Sequence, residues 1–247
     1  MVAIESRLSK AKFAFAKVFE TLIPIFMKSD FGYKLDDALL IERALEGAKN
    51  GEFDPLGELS IMVFRPHQSC VVMGQSVKVA QAVDQEACRL DGIPIWQRPS
   101  GGESVFISAN MMIVSYSILS KRLPPSKMVF SLTLASIIKA LQSLAMKGVE
   151  HRGISDLAVE DRKILGCAIY RNKNMLIFHA VINVEESSQV IAKYLLHPQK
   201  EPDYRLSRKH EDFVSSLKRE GFEGTYGALN NALKEYLYQD LPLLLEI

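Results

Sequence analysis

Apolar positions along this chain fall into short alternating blocks separated by turn-forming residues, with longer helical stripes between them. Residues 5–19 carry a weak helical pattern, and TLIPIFMKS (21–29) reads as a strand in which Pro24 marks an edge or an irregularity. In 34–52, Leu35, Leu39, Leu40, Ala44 and Leu45 share one helical face. LSIMVFRP (59–66) and SCVVMGQ (69–75) are short β-rich runs split by a Pro66–His67 turn, which reads as a hairpin. VDQEACRLDG (83–92) is a helix stopped by Gly92. IPIWQRPSGGESVFI (93–107) and NMMIVSYSIL (110–119) read as strands around a glycine loop.

The clearest helix spans 124–148, opening with prolines and closing at Gly148. Residues 156–184 read as three strands joined by tight turns at Glu160–Asp161 and Asn172–Asn174. Further helices are expected over 188–196, 210–220 and 225–241. Meandering strands with helices between them predict an α+β fold with a mixed, largely antiparallel sheet flanked by helices, rather than a regular βαβ array.

Composition narrows the class. The chain has 247 residues, 48% apolar and 24% charged, which is ordinary for a globular domain. A net charge of +1 points to no nucleic-acid partner. No apolar run is long enough to span a membrane. Cys70, Cys88 and Cys167 have no metal-ligand spacing, and an odd, sparse set suits a reducing cytoplasm. Lysines and glutamates interrupt the N-terminal stretch, so it reads as a helix leading into a strand rather than a signal or presequence.

Candidate chemistry gathers in two places. In IWQRPSGGESVF (95–106), two adjacent glycines permit close backbone approach to a ligand, and Arg98 and Ser100 can hold an anion. Taken alone, an ordinary turn explains the glycines equally well. In GISDLAVEDRKILGCA (153–168), Lys163 lies on a strand ahead of the small Gly166. A lysine so placed could steady charge on a reacting carbonyl and phosphate, although a solvated hairpin is the simpler account of that segment alone. A Walker loop, a G-x-S-x-G elbow and paired histidine ligands are all absent from the sequence.

Taken together and in order, LDDALLIERAL (35–45), residues 69–106, GISDLAVEDRKILGCAIYR (153–171) and IFHAVIN (177–183) resemble the lipoate–protein ligase catalytic domain. That family includes lipoyl and octanoyl transferases and is related to biotin–protein ligases. The likeness covers roughly residues 20 to 240 and implies the biotin/lipoate ligase catalytic-domain fold. It implies one catalytic domain over 1–247, with 1–19 as an N-terminal extension and no C-terminal accessory domain.

The resemblance also implies roles. Lys163 matches the lysine that contacts the activated acyl carbonyl and phosphate. Gly74, Arg98, Ser100, Gly101 and Gly102 match the strand end and loop that line the acyl and phosphate site. Asp156 matches the aspartate on the nucleotide side, where it would meet Mg2+. Gly166, Ala168 and His179 match further site positions, and Ser207 and Arg208 fall in a weaker late segment. Departures accompany these matches: Gln97 replaces an arginine, Glu103 a third glycine, Ile107–Ser108 a His-Asp pair, Ser155 an asparagine and Ala180 a glycine. Cys167 stands at a serine position and reads as a small buried residue rather than a nucleophile.

The implied activity is attachment of a lipoyl or octanoyl group to a lysine of a carrier domain through acyl-AMP, with ATP and Mg2+. The implied partners are lipoyl carrier domains of 2-oxo acid dehydrogenases or the glycine-cleavage carrier protein. An apolar tunnel under the loop is expected from Val72, Val105 and Met112. Glu103 should repel a triphosphate, so a transferase using a pre-activated donor is the alternative, with a non-catalytic binder of the acyl group or carrier behind it.

Overall fold

The computed structural model describes residues 58–246; the expected helices at 5–19 and 34–52 and the strand at 21–29 lie outside the described residues. Nine strands follow: β1 Glu58–Phe64, β2 Cys70–Met73, β3 Ile95–Gln97, β4 Val105–Ile107, β5 Met111–Leu119, β6 Val149–Arg152, β7 Asp156–Val159, β8 Arg162–Arg171 and β9 Met175–Asn183. The α-helices are α1 Val79–Ala82, α2 Gln85–Asp91, α3 Ser126–Ser143, α4 Ser188–Tyr194, α5 His210–Phe213 and α6 Tyr226–Asp240.

The strands form two sheets. A six-stranded sheet has the order β1-β5-β9-β8-β7-β6, and every pairing in it is antiparallel. A three-stranded sheet has the order β3-β2-β4, with β2 parallel to β3 and antiparallel to β4. The mixed, largely antiparallel expectation therefore holds. The β1–β2 hairpin does not: β1 pairs with β5 in one sheet, while β2 lies between β3 and β4 in the other. Two β-rich runs separated by a proline turn carry no mark of which sheet each joins.

Period-two alternation in the central strands sorts side chains to two faces. On β5, Met112, Val114, Tyr116 and Ile118 join Leu176, Phe178, Ala180 and Ile182 of β9 in the main core against α3 and α6. The Tyr116 and Phe178 rings stack at 5.0 Å within it, and the buried Tyr116 hydroxyl meets Thr133 Oγ1 of α3 at 2.7 Å. The intervening residues face the small sheet, and the site lies between the two sheets.

Local signals set several boundaries. Asp84 caps α2 by accepting from the Ala87 amide, and Gly92 ends it in the left-handed region. The helix expected to run to Gly148 stops at Ser143. Ala145 takes the left-handed position at φ 63°, and the Met146 amide reaches back to the Leu141 carbonyl at 3.0 Å. Burial of Met146 beside Leu141 in the core favours this earlier stop. Gly148 instead turns the chain into β6, which the sequence pattern did not suggest. The helix expected over 210–220 is reduced to α5, because the backbone at Val214–Ser215 is captured by β8 through a 2.8 Å bond from the Ser215 amide to the Lys163 carbonyl.

Candidate active site

The loop between β3 and β4 is fixed by its own arginine. Arg98 Nε donates to Ser100 Oγ at 2.9 Å, Nη1 to the Val72 carbonyl at 3.1 Å, and Nη2 to the carbonyls of Gly101 and Glu103, each at 2.9 Å. Ser100 Oγ also meets His179 Nε2 of β9 at 2.6 Å, tying the small sheet to the large one. Main-chain bonds from the Arg98 amide to Met73 and from the Gln75 amide to Ser100, both 2.9 Å, complete the seat.

The glycines have separate reasons. A Cβ at Gly74 would lie 1.8 Å from the Gly102 carbonyl oxygen, so only glycine lets the two backbones touch. Gly102 has φ +90°, and the place its Cβ would take is 3.9 Å from the Ala168 methyl. The loop thus rests on Gly74. Gly101 has open space around it. Gln97, in the place of an arginine, turns its amide to the Gln75 carbonyl at 3.0 Å and so supports the Gly74 turn.

Lys163 and Gly166 are three residues apart and would face opposite sides of a regular strand. A β-bulge changes that. Leu157 pairs with Leu165 and Ala158 with Lys163, leaving Ile164 as an extra residue. Lys163 and Gly166 therefore share a face, and Lys163 lies so close that a Cβ on Gly166 would be 2.8 Å from Nζ. Lys163 Nζ bonds Asp156 Oδ1 at 2.8 Å, and the other oxygen, Oδ2, accepts from the Tyr204 hydroxyl at 2.9 Å. Sequence reasoning missed Tyr204, which arrives from a distant turn with no local signature.

These groups open onto a cavity of about 1560 Å3. One wall is apolar: Val72, Val105, Ile113 and Trp96, the last only 3% exposed, cluster there. Lys163, Asp156, Tyr204 and His210 belong to its polar lining. Of the expected tunnel residues, Val72 and Val105 line the cavity and Met112 does not. Pairing of Met112 with Ile182 turns it into the core on the opposite face, which leaves Met111 and Ile113 to the cavity. Of the candidate site residues, Arg98, Gly102, Asp156, Lys163, Gly166, Ala168 and His179 reach the cavity lining. Gly74, Ser100 and Gly101 lie behind it as loop supports, and Ser207 and Arg208 lie outside it.

Electrostatics separate working groups from structural ones. Burial, with the Arg98 guanidinium adding to it, pulls the His179 imidazole down to about 3, so the ring is neutral. Its Nδ1 is buried without a hydrogen-bond partner. Burial likewise brings His210 down to about 4. Burial pushes the Cys167 thiol up, and it donates to the Ser155 carbonyl at 3.0 Å, so it is no nucleophile. Burial and the Asp156 carboxylate push the Tyr204 hydroxyl up, keeping it a donor.

Glu103 is turned across the cavity mouth. Its carboxylate accepts from the Lys200 amide at 3.2 Å, which joins the glycine loop to the segment before Tyr204. The expected contact of Asp156 with Mg2+ meets a different arrangement, since both carboxylate oxygens already have partners. Among the described residues no group of three acidic, histidine or cysteine side chains could hold a metal.

Solved structures define the class of fold. A crystal structure of lipoate-protein ligase A bound with ATP superposes with a TM-score of 0.63 at 20% identity, over 80% of this chain and 78% of that one. A bipartite lipoate protein ligase from Thermoplasma acidophilum, determined in a study with its E2 lipoyl domain, gives 0.64 at 18% identity over 82% and 79%. The architecture is thus that of the lipoate-ligase catalytic domain.

A family model described as "Lipoyl protein ligase A/B catalytic domain" matches residues 37–238, and the chain belongs to that family. It is 26% identical over 159 residues to "Probable lipoate-protein ligase A" of Mycoplasma pneumoniae, covering 64% of this chain and 45% of that protein. The relative of the same name in Mycoplasma genitalium is 26% identical over 152 residues, covering 62% and 45%. The chain therefore spans about half the length of the curated relatives it matches. Among the described residues, no helix is long and apolar enough to cross a membrane.

Proposed function

We propose that this chain is an enzyme that joins a lipoyl or octanoyl group to a lysine of a lipoyl carrier domain, by way of an acyl-adenylate made from ATP. One observation carries the reading: Lys163, held over Gly166 by Asp156, faces a cavity with an apolar wall and a glycine-loop rim. The described sheets and helices surround this cavity, and we propose that they form a single catalytic domain. At about 1560 Å3 the cavity exceeds the roughly 300–1,000 Å3 of a site for one small ligand, leaving room for an acyl chain and a nucleotide together.

The residues divide the chemistry. The apolar wall of Trp96, Val72, Val105 and Ile113 takes the acyl chain. The carrier lysine's neutral amine attacks the acyl carbonyl, the amide C–N bond forms, the C–O bond to the phosphate breaks, AMP leaves, and the amine's proton passes to solvent. Lys163 steadies the oxyanion and the leaving phosphate with a charge-assisted hydrogen bond. Asp156 and Tyr204 fix where that ammonium points. The loop seated on Gly74 shields the mixed anhydride from water. Lipoyl domains of 2-oxo acid dehydrogenases, or the glycine-cleavage carrier protein, are the acceptors this reading names, in the cytoplasm.

A second reading has its own support. Glu103 places a carboxylate in the cavity lining, Gln97 lacks the charge of an arginine, and Arg98 directs its guanidinium at the loop itself. The site then has little positive charge to offset a triphosphate, whereas an acyl-AMP carries a single phosphate charge and needs less, which favours a transferase fed with a pre-activated acyl donor. Mass spectrometry of an apo lipoyl domain incubated with the protein distinguishes the two. A mass gain with ATP, Mg2+ and lipoate or octanoate supports the complete ligase. A gain only with preformed lipoyl-AMP supports the transferase. No gain with either refutes both and leaves a binder of the acyl group or carrier.

A further inference from the structure

β9 stops short of Lys163. Its last pairing with β8 joins Ile182 to Leu165, and the strand ends at Asn183. The edge it leaves is filled by the segment after α5: Val214 bridges Lys163 in parallel, and the Ser215 amide donates to the Lys163 carbonyl at 2.8 Å. On the other edge Lys163 pairs with Ala158 of β7. The register here has an alternative. Without the bulge, Ala158 would pair with Ile164 and Val159 with Lys163, so Lys163 would share the face of Leu165, which lies in the main core. The bulged register instead gives both Ile164 and Leu165, each 1% exposed, to the core and turns Lys163 over Gly166.

One buried carboxylate holds that segment in place. Glu220, with a side chain only 5% exposed, accepts from Ser215 Oγ at 2.5 Å and from Arg162 Nε and Nη2 at 2.7 Å each. Arg162 precedes Lys163 on β8, and alternation sends the two side chains to opposite faces. From behind the strand, Glu220 therefore ties the residue before Lys163 to the residue that caps the Lys163 carbonyl. Arg162 Nη1 meets a second carboxylate, Glu160, at 2.9 Å, but that side chain is 74% exposed. Asn183 fixes the segment from its other side: its Nδ2 donates to the Ser215 carbonyl at 2.9 Å, and its carbonyl accepts from the Leu217 amide at 2.9 Å. The Arg162 guanidinium, opposed by burial and aided by the Ser215 hydroxyl, holds the Glu220 carboxyl below the usual carboxylate range, so it is charged at neutral pH. None of Arg162, Ser215 and Glu220 lines the cavity.

We propose that Glu220 is a positioning residue for Lys163: by joining Arg162 to Ser215 it holds the bulged register that aims the ammonium into the cavity. It touches neither substrate nor the reacting atoms. An ion pair serving the fold alone would need only Arg162 and Glu220. Here the Ser215 hydroxyl shares the oxygen, Oε1, that Arg162 Nε uses, and the three groups close a clamp around the Lys163 main chain. Asp156 and Tyr204 set the direction of the ammonium at its tip, and Glu220 sets the backbone from which the side chain springs. The reaction used to measure this role rests on the acyl-transfer reading; the placement of Lys163 does not.

The test uses Glu220→Gln and Ser215→Ala, each in the wild-type background and in Lys163→Ala. Ser215→Ala removes one bond and leaves the Arg162–Glu220 pair, so it decides the matter if Glu220→Gln fails to fold. Two readouts are taken. One is the NMR signal of the Lys163 ε-methylene in protein carrying isotopically labelled lysine, assigned by its loss in Lys163→Ala. The other is transfer from preformed lipoyl-AMP to an apo lipoyl domain, with kcat and KM measured separately. In Glu220→Gln the Lys163 signal should move, and kcat should fall about tenfold or more with KM held within about twofold. Ser215→Ala should show both effects at a smaller size, about threefold in kcat. In the Lys163→Ala background neither substitution should slow the residual transfer further, because the route through Lys163 is already gone. An unmoved Lys163 signal, a moved signal with unchanged kcat, or equal slowing with and without Lys163 overturns the positioning role, the last by showing an effect on the fold alone. A moved signal in a protein whose wild type transfers nothing upholds the positioning of Lys163 and overturns the acyl-transfer reading.

Discussion

Gly166 is the position where the smallest change to this protein should have the largest effect on its chemistry. Adding a methyl in Gly166→Ala places Cβ 2.8 Å from Lys163 Nζ and 2.9 Å from Cε, well inside ordinary contact. The methyl itself is fixed by β8, so the lysine must yield. Nζ has to withdraw by roughly half an ångström to restore van der Waals separation. That movement stretches or breaks the 2.8 Å pairing with Asp156 Oδ1 and turns the ammonium away from the cavity. Misplacement of about 1 Å costs on the order of 10²-fold in rate, so kcat should fall by about ten- to a hundredfold. Stability should hardly change, since the clash is with the end of a flexible chain. Transfer from lipoyl-AMP to a lipoyl domain measures the rate, and a urea titration measures the fold. Turnover within twofold of wild type would refute the reasoning that Gly166 is small in order to seat Lys163.

Three other outcomes are expected. Gly74→Ala drives a Cβ to 1.8 Å from the Gly102 carbonyl, a backbone atom that cannot swing aside, so denaturation should show a loss of about 1–3 kcal/mol and the loop should lift from its seat. His179 binds its proton at about 3 in the folded chain against 6.5 unperturbed. Between those values the unfolded chain binds a proton that the folded one does not, so stability is full above about 6.5 and falls as pH drops toward 3. Urea midpoints should therefore fall with acid, and more shallowly in His179→Gln. Glu103→Gly removes a carboxylate from the cavity lining and the bond to the Lys200 amide. It should raise the ATP-dependent rate several-fold while leaving transfer from preformed lipoyl-AMP within twofold.

Much of the fold was legible where the signals are local. The β7–β8–β9 meander follows from alternation broken at Glu160–Asp161 and Asn172–Asn174, and Glu160 indeed takes a left-handed turn conformation at φ 54°. The helix over 225–241 and the Gly92 stop were equally plain. Features that depend on long-range pairing were not. Whether Met111 or Met112 faces the cavity is decided by the register of β5 against β9, and two adjacent methionines look alike in the chain. The bulge at Ile164, which brings Lys163 and Gly166 to one face, leaves no mark in RKILG. Tyr204 lies 48 residues from Asp156, and Lys200 lies 97 from Glu103; only the folded chain brings either pair together. For the same reason the family resemblance could suggest Lys163 and Asp156 but not what holds them.

Lys163 bears the weight of the functional account, and its transfer step can be measured apart from adenylate formation. Wild type and Lys163→Ala would be mixed with preformed lipoyl-AMP and an apo lipoyl domain, and the acylated domain followed by mass spectrometry over time. Loss of the ammonium that steadies the oxyanion and leaving phosphate predicts transfer slower by about 10²–10³-fold in the variant, with its fold intact by circular dichroism. Equal rates in the two proteins would contradict the central claim, because the residue aimed into the cavity would then have no part in the chemistry.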